Sequence, residues 1–251
     1  MKKSKAIVVV FGLISIGLAL FSAGCGSKAV QYDPFQVPRE KFYGGLKTIA
    51  LAPIWAPKEL EVSDSVKAKF EFLLAAELRG AGFTVVPSEE LGTLRSTLTD
   101  SVGGIYDSKT GMLDTVKFKT VLKQMYPQLQ AKFGVDAMLF SKIDIVLAEL
   151  DNEKAKWHGT SEGVQKKKFW KRLLGITHFG TIRALSFFVS LEDSDYTSLY
   201  VNAGGIQALD KVGPAGGFVP VPQEELFAKE ERNVKAVRLA LDPLLGRKKE
   251  K

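Results

Sequence analysis

Cysteine is nearly absent: one residue in 251, at position 25. A single thiol builds no disulfide framework, so the fold must rest on an apolar core. Histidine is almost as scarce, with only His158 and His178. They lie far apart, no cysteine joins them, and no metal site is expected. The chain carries no Ser-x-x-Lys, so that nucleophilic-serine arrangement is missing. The glycine-rich stretch Gly213-Pro214-Ala215-Gly216-Gly217 has no following Lys-Ser/Thr, which excludes a phosphate loop. No catalytic residues and no cofactor are therefore assigned, and the chain is read as non-enzymatic. Low-complexity tracts and internal repeats are also missing.

What is present begins at the N-terminus. Met1-Lys2-Lys3-Ser4-Lys5 is basic, Ala6 to Phe21 is apolar and uncharged, and Ser22-Ala23-Gly24-Cys25 closes the run with small residues. Lysines that stay on the cytoplasmic side, an apolar core that enters the bilayer and a small-residue exit form a secretion signal. The lone cysteine falls at its boundary, where an unpaired thiol has a use. The alternative is an uncleaved membrane helix followed by a free cysteine, because the apolar run is almost long enough to span.

Ser22-Ala23-Gly24-Cys25 resembles the lipobox of bacterial lipoproteins, with Ser22 standing where that family usually carries Leu. The resemblance implies that residues 1–24 are removed, that Cys25 carries a diacylglycerol on its sulfur, and that its new amine is acylated, palmitate being typical. Anchoring by more than one chain is stable, since each buried methylene contributes about 0.8 kcal/mol. Gly26 follows the cysteine. The Asp that often marks inner-membrane retention in such proteins is not there, which favours the outer membrane with the domain facing the periplasm. Loss of Lys2, Lys3 and Lys5 with the leader lowers the formal charge from +7 to +4. That modest excess, on an exported chain, gives no reason to expect a nucleic-acid partner. It suits a protein near anionic headgroups.

Residues 25–45, with Pro34 and Pro38, are expected to be a lipidated tether. A single α/β domain is expected over 46–246, with a charged tail at 247–251. Leu46 to Ile54 is a buried strand ended by Pro53. Ser63 is a candidate cap for a helix whose stripe is Val66, Phe70, Leu73, Leu74 and Leu78, closed by Gly80 and Gly82. Phe83 to Pro87 is a second strand. Ser88 is a candidate cap for a helix running to Leu98, and 99–111 is loop. Val116, Val121, Leu122, Met125, Leu129 and Phe133 mark another helix, in which Pro127 predicts a kink or a break. Ala137 to Leu147 is a long strand. The order β-α-β-α-α-β implies a partly parallel sheet covered by helices.

The second half reads as antiparallel. Ala155 to Gln165 extends or returns the long strand. Thr181 to Leu191 places Leu185, Phe187, Val189 and Leu191 on one face, and Ser198 to Leu209 is interrupted by Gly204-Gly205, a bulge signal. A Gly/Pro loop over 213–222 leads to a final helix with Leu226, Phe227, Val234, Val237 and Leu241. The fold class is thus a mixed α/β sheet, parallel first and antiparallel later, with a C-terminal helix.

Three pieces carry a further resemblance: Lys47 to Pro53, Leu78 to Pro87, and Phe133 to Leu139. They resemble a group of periplasmic α/β proteins that includes the penicillin-binding-protein activator lipoprotein, the curli secretion channel subunit and the N-terminal domain of the Tol-Pal β-propeller protein. The resemblance implies a protein that binds or assembles, and carries over no functional residue beyond Cys25.

The most informative polar segment is Lys166-Lys167-Lys168-Phe169-Trp170-Lys171-Arg172. Five cations around a Phe-Trp pair suit a lipid headgroup surface, an acidic partner or a glycan. The competing account is a solvated hairpin loop whose aromatics fold under the sheet. Asp136 is expected to be a turn residue, and Asp144 to lie on a solvent face. The functional expectation is a lipid-anchored envelope protein that binds an envelope protein partner. The alternatives are a subunit of a secretion or pore complex and an envelope hydrolase with scattered site residues.

Overall fold

The computed structural model describes residues 32–39, 43, 45–151, 154–164, 179–213 and 217–247. Residues Pro34–Lys251 form one unit, and the mixed α/β class expected from the sequence is what it shows.

The parallel half comes first. β1 (Thr48–Leu51) pairs in parallel with β2 (Thr84–Val86) on one side and with β3 (Ala137–Asp151) on the other. The crossover between β1 and β2 is α1 (Asp64–Gly80), whose first turn is capped by Ser63 accepting from the Val66 N–H. α2 (Ser88–Ser101) and α3 (Thr115–Phe133) connect β2 to β3. Ser88 does not cap α2 as expected. It lies inside the first turn, and its N–H and hydroxyl both donate to Glu71 of α1, at 3.0 and 2.6 Å. α3 runs unbroken through Pro127. Val121, Met125 and Leu129 hold it to the core, while Pro127 and Lys123 are exposed. The Lys123 carbonyl, deprived of its helix donor, can therefore meet water.

The antiparallel half is built on the long pair β3 and β6 (Phe179–Glu192), in register from Met138↔Glu192 to Asp151↔Phe179. β7 (Ser198–Ala208) lies beyond β6 with register shifts at Leu185/Ser186 and Leu191/Glu192. β4 (Lys154–Trp157) and β5 (Thr160–Gly163) form a tight hairpin off the end of β3. Its two-residue loop is His158-Gly159, both at positive φ, the primed turn that matches strand twist. Ala155 to Gln165, for which extension and return were both open, returns. β5 then closes on β7: Gly205 N–H donates to the His158 carbonyl, the Thr160 hydroxyl to the Gly205 carbonyl and Ala208 N–H to Glu162, at 3.1, 2.8 and 2.8 Å. The far end of the sheet is thereby curled almost into a barrel. β8 (Asp210–Val212) and β9 (Phe218–Pro220) make a small separate ribbon, and α4 (Glu230–Leu241) is the last helix among the described residues.

Three apolar cores follow from this arrangement. α1 and α4 cover one face, packing Phe70, Leu74, Leu78, Val237 and Leu241 on Ile49, Leu139, Phe187, Val189 and Leu191. Phe70 stacks on Phe187 with centroids 5.1 Å apart. Burying such a ring contributes about 1.5–3 kcal/mol. α2 and α3 cover the opposite face at the start of β3. The β4–β5 hairpin covers that same face at the far end, around Trp157 and the small residues Ala148, Ala155, Ala184 and Ala208.

Gly204 and Gly205 set how closely these layers approach. A Cβ on Gly204 would lie 2.0 Å from the Ala236 carbonyl oxygen of α4, and one on Gly205 would lie 2.6 Å from Trp157 Nε1. The glycine pair accompanies an irregular register, as its sequence suggested, and it also lets a helix and a tryptophan seat on opposite faces of one strand.

The folded unit opens at Pro34, earlier than the expected boundary at Leu46. Val201 N–H donates to the Pro34 carbonyl and Gln36 N–H to the Leu199 carbonyl, at 2.8 and 2.9 Å. Phe35 is buried edge-on against Tyr200, 5.3 Å away. An extended segment that satisfies the open edge of β7 and buries an aromatic ring is fold, not tether.

Candidate functional site: an open face of the sheet

Alternation along β3 and β6 sends successive side chains to opposite faces. The even-numbered residues of both strands share the face covered by α2 and α3 at one end and by the β4–β5 hairpin at the other. Between these covers the face is open among the described residues. Its central row crosses four segments: Trp55, Lys142, Phe188 and Ala203, each paired with the next. A second row is Asp144 and Ser186, joined by His158. A third is Phe140, Ser190 and Val201. The open area measures about 14 Å across the strands and about 14 Å along them, from strand spacing and rise.

Trp55 is 45% exposed, yet its backbone is fixed. Its N–H donates to the Ser141 carbonyl at 3.1 Å, and its carbonyl accepts from Ile143 N–H at 2.9 Å. Pro53 and Pro57 stand two residues to either side and stiffen the segment that carries it. Beside it, Lys142 Nζ lies 2.7 Å from Asp144 Oδ2 and 5.0 Å from the centroid of the Phe188 ring. Both charged side chains keep about a third of their surface, 31% and 29%. Asp144 Oδ1 accepts from the N–H of Ile145. The expectation of a solvent-facing Asp144 therefore holds, with the addition of a cation beside it.

His158 stands exposed at the hairpin turn, with its ring turned onto the sheet. It packs edge-on against Phe188, 5.2 Å between centroids, and Nδ1 lies 2.8 Å from the Ser186 hydroxyl. Burial of the ring pushes its pKa below the ordinary value, because the charged form loses its water. The Ser186–His158 pair has the composition of a nucleophile and its base. Ser186 is completely buried, however, and no substrate atom could reach it. At the other end of the face, burial raises the pKa of Glu192 against a weak hydrogen bond from Ser190, with Asp193 adding to the rise. Burial and then Glu192 push Tyr196 up to about 12.

The remaining sequence candidates separate clearly. Cys25 and the segment Lys166, Lys167, Lys168, Phe169, Trp170, Lys171 and Arg172 lie outside the described residues, as does His178. Asp136 is a structural tie: its Oδ2 accepts from the N–H groups of both Lys47 and Thr48 at 2.8 Å, holding the start of β3 to the start of β1. Among the described residues, no three His, Cys, Asp or Glu side chains are grouped to hold a metal. No described helix is long and apolar enough to cross a membrane. A groove of about 440 Å³ between α2 and α3 is wide open and bridged by the Glu90–Lys132 ion pair.

Trp55, Lys142 and Phe188 escaped the sequence reading. The signals were a Trp between two prolines and the polar positions in the alternation of β3 and β6. Only strand pairing says that these positions form one row.

No family model matches the chain, and no curated protein does either. Among solved structures, it is similar to a Helicobacter pylori protein described as a neuraminyllactose-binding hemagglutinin homolog. The identity is 9%, 88% of each chain is covered and the TM-score is 0.34.

Proposed function

We propose that this chain is a lipid-anchored, periplasm-facing envelope protein that works by binding rather than by catalysis. The observation that carries the reading is the N-terminal order of basic residues, apolar core and Ser22-Ala23-Gly24-Cys25, with the only cysteine of the chain at its end. Eight residues lie between that cysteine and Pro34, where the folded unit opens. A fully extended stretch of that length spans at most about 30 Å, so the domain works within reach of the bilayer. The outer membrane is the favoured site, on the absence of Asp after Cys25.

The Lys166–Arg172 segment is the proposed contact with an envelope protein partner. Its arrangement of cations and aromatics is that of a surface meeting an anionic group with apolar support. Val164 and Phe179, the described residues that bracket it, lie at the barrel-like end of the sheet, where Val212 N–H donates to the Val164 carbonyl.

The anchoring test is Cys25→Ser. Metabolic labelling with palmitate should be lost, and the chain should move from the membrane to the soluble fraction. Unchanged mass and fractionation would refute the reading. Crosslinking in intact envelopes, compared with the Trp170→Ala and Lys166, Lys167 and Lys168→Ala variants, tests the contact: an unchanged set of crosslinked partners removes it.

A further inference from the structure

We propose that the open sheet face framed by Trp55, Lys142, Asp144 and Phe188 binds a neutral saccharide chain. The proposal rests on the reading of this protein as an envelope binding protein, and it names what one of its surfaces takes.

Charge complementarity selects the ligand. Lys142 and Asp144 neutralise each other at 2.7 Å, so the centre of the face carries no net charge. A phosphate, a carboxylate or an anionic headgroup needs an unpaired cation, and finds its like charge here in Asp144. An apolar peptide helix would strip water from the ion pair and return no hydrogen bonds for it. A neutral polyol meets neither objection. Each hydroxyl is donor and acceptor at once. The ammonium has three protons, of which Asp144 takes one and the Phe188 ring faces another part of its charge. The carboxylate keeps lone pairs beyond those used by Ile145 and Lys142. A donor and an acceptor side by side match a pair of neighbouring hydroxyls.

The aromatic part fits the same ligand. A pyranose has an apolar C–H face, and the indole of Trp55 offers a large flat surface at low entropic cost, because the backbone on both sides of it is already hydrogen-bonded to β3. The hydroxyl of half-buried Ser190 adds another polar group on the same face. His158, its ring edge-on against Phe188, bounds the face. The length of the face, about 14 Å along the strands, suits two or three linked sugar units rather than one.

The test uses the full chain purified in detergent and titrated with cellohexaose, maltohexaose and chitohexaose, read by tryptophan fluorescence and calorimetry. At least one hexaose should bind saturably, with little dependence on salt. Trp55→Ala should weaken binding about ten-fold or more, Trp55→Phe by less, and Asp144→Asn should also weaken it. Tyr106→Ala, which removes an exposed aromatic elsewhere, should leave binding unchanged. Circular dichroism of each variant checks that it is folded. Absence of binding by all three hexaoses at low-millimolar concentration overturns the proposal. So does binding indifferent to Trp55→Ala, or tighter binding of an acidic oligogalacturonate that salt abolishes. A chain that Cys25 anchors and that crosslinks to a protein, but ignores every hexaose, loses the saccharide and keeps its envelope role. A chain that binds a hexaose but fractionates identically after Cys25→Ser loses the anchor and keeps the saccharide.

Discussion

Gly204→Ala puts one methyl group into the tightest contact of the fold. Its carbon would lie 2.0 Å from the Ala236 carbonyl oxygen, 2.8 Å from the carbonyl carbon and 2.9 Å from Leu239 Cβ. Two of these atoms are backbone, so no rotamer change relieves the overlap. α4 must move away from β7 by more than about 1 Å to restore van der Waals separation. That movement strains three hydrogen bonds: the Tyr200 hydroxyl to the Ala240 carbonyl at 2.6 Å, and Asn202 Nδ2 to the Leu239 and Ala240 carbonyls at 3.0 and 3.1 Å. Overpacking alone costs about 1–3 kcal/mol, and weakening these buried bonds adds about 1 kcal/mol or more. We expect a loss of about 3 kcal/mol and a drop of about 6–12 °C in Tm for a domain of this size. Gly92→Ala is the matched control. Gly92 lies inside α2 with nothing within 4 Å of a built Cβ, so the same added methyl should stabilise by about 0.5–1 kcal/mol. Urea and thermal unfolding followed by circular dichroism measure both. A Gly204→Ala protein as stable as the parent would refute the account of how α4 is seated.

Asp136→Ala leaves the N–H groups of Lys47 and Thr48 without their acceptor, and should cost about 1.5–3 kcal/mol in urea unfolding; a neutral result would mean that water replaces the carboxylate freely. Glu77 of α1 faces Arg238 and Arg247. Burial works to raise its pKa, but the hydrogen bonds and charges of the two arginines outweigh it, and the net shift is downward from 4.5. A carboxyl with a depressed folded-state pKa contributes stability that is complete above 4.5 and is lost as the pH falls through the lower folded value. Glu77→Gln should therefore flatten the acid side of the stability profile measured from pH 6 to pH 3 relative to the parent, and parallel profiles would exclude Glu77 as a source of acid sensitivity.

Much of the architecture could be read before any coordinates. The three-and-four-residue stripe of α1, the alternation of Leu185, Phe187, Val189 and Leu191, and the order of elements up to β3 needed only local chemistry. Side-chain period and chain connectivity constrain them directly. Ser88 shows where local reasoning stops. Serine before a helix is a sound cap signal, but Glu71, 17 residues away, offered a charged acceptor and took its N–H. Phe35 shows the same limit. A polar, proline-bearing stretch reads as a tether until the unpaired edge of β7 and the Tyr200 ring are brought beside it.

The sequence by itself determined the signal-like leader, the solitary thiol, the two widely separated histidines and the mixed α/β class, because each depends on residue type and short-range spacing. The tertiary structure alone decided that Trp55, Lys142, Phe188 and Ala203 form one row, and that His158 closes over Ser186. These groups come from segments separated by tens of residues, and a one-residue change in strand register would have sent them to opposite faces.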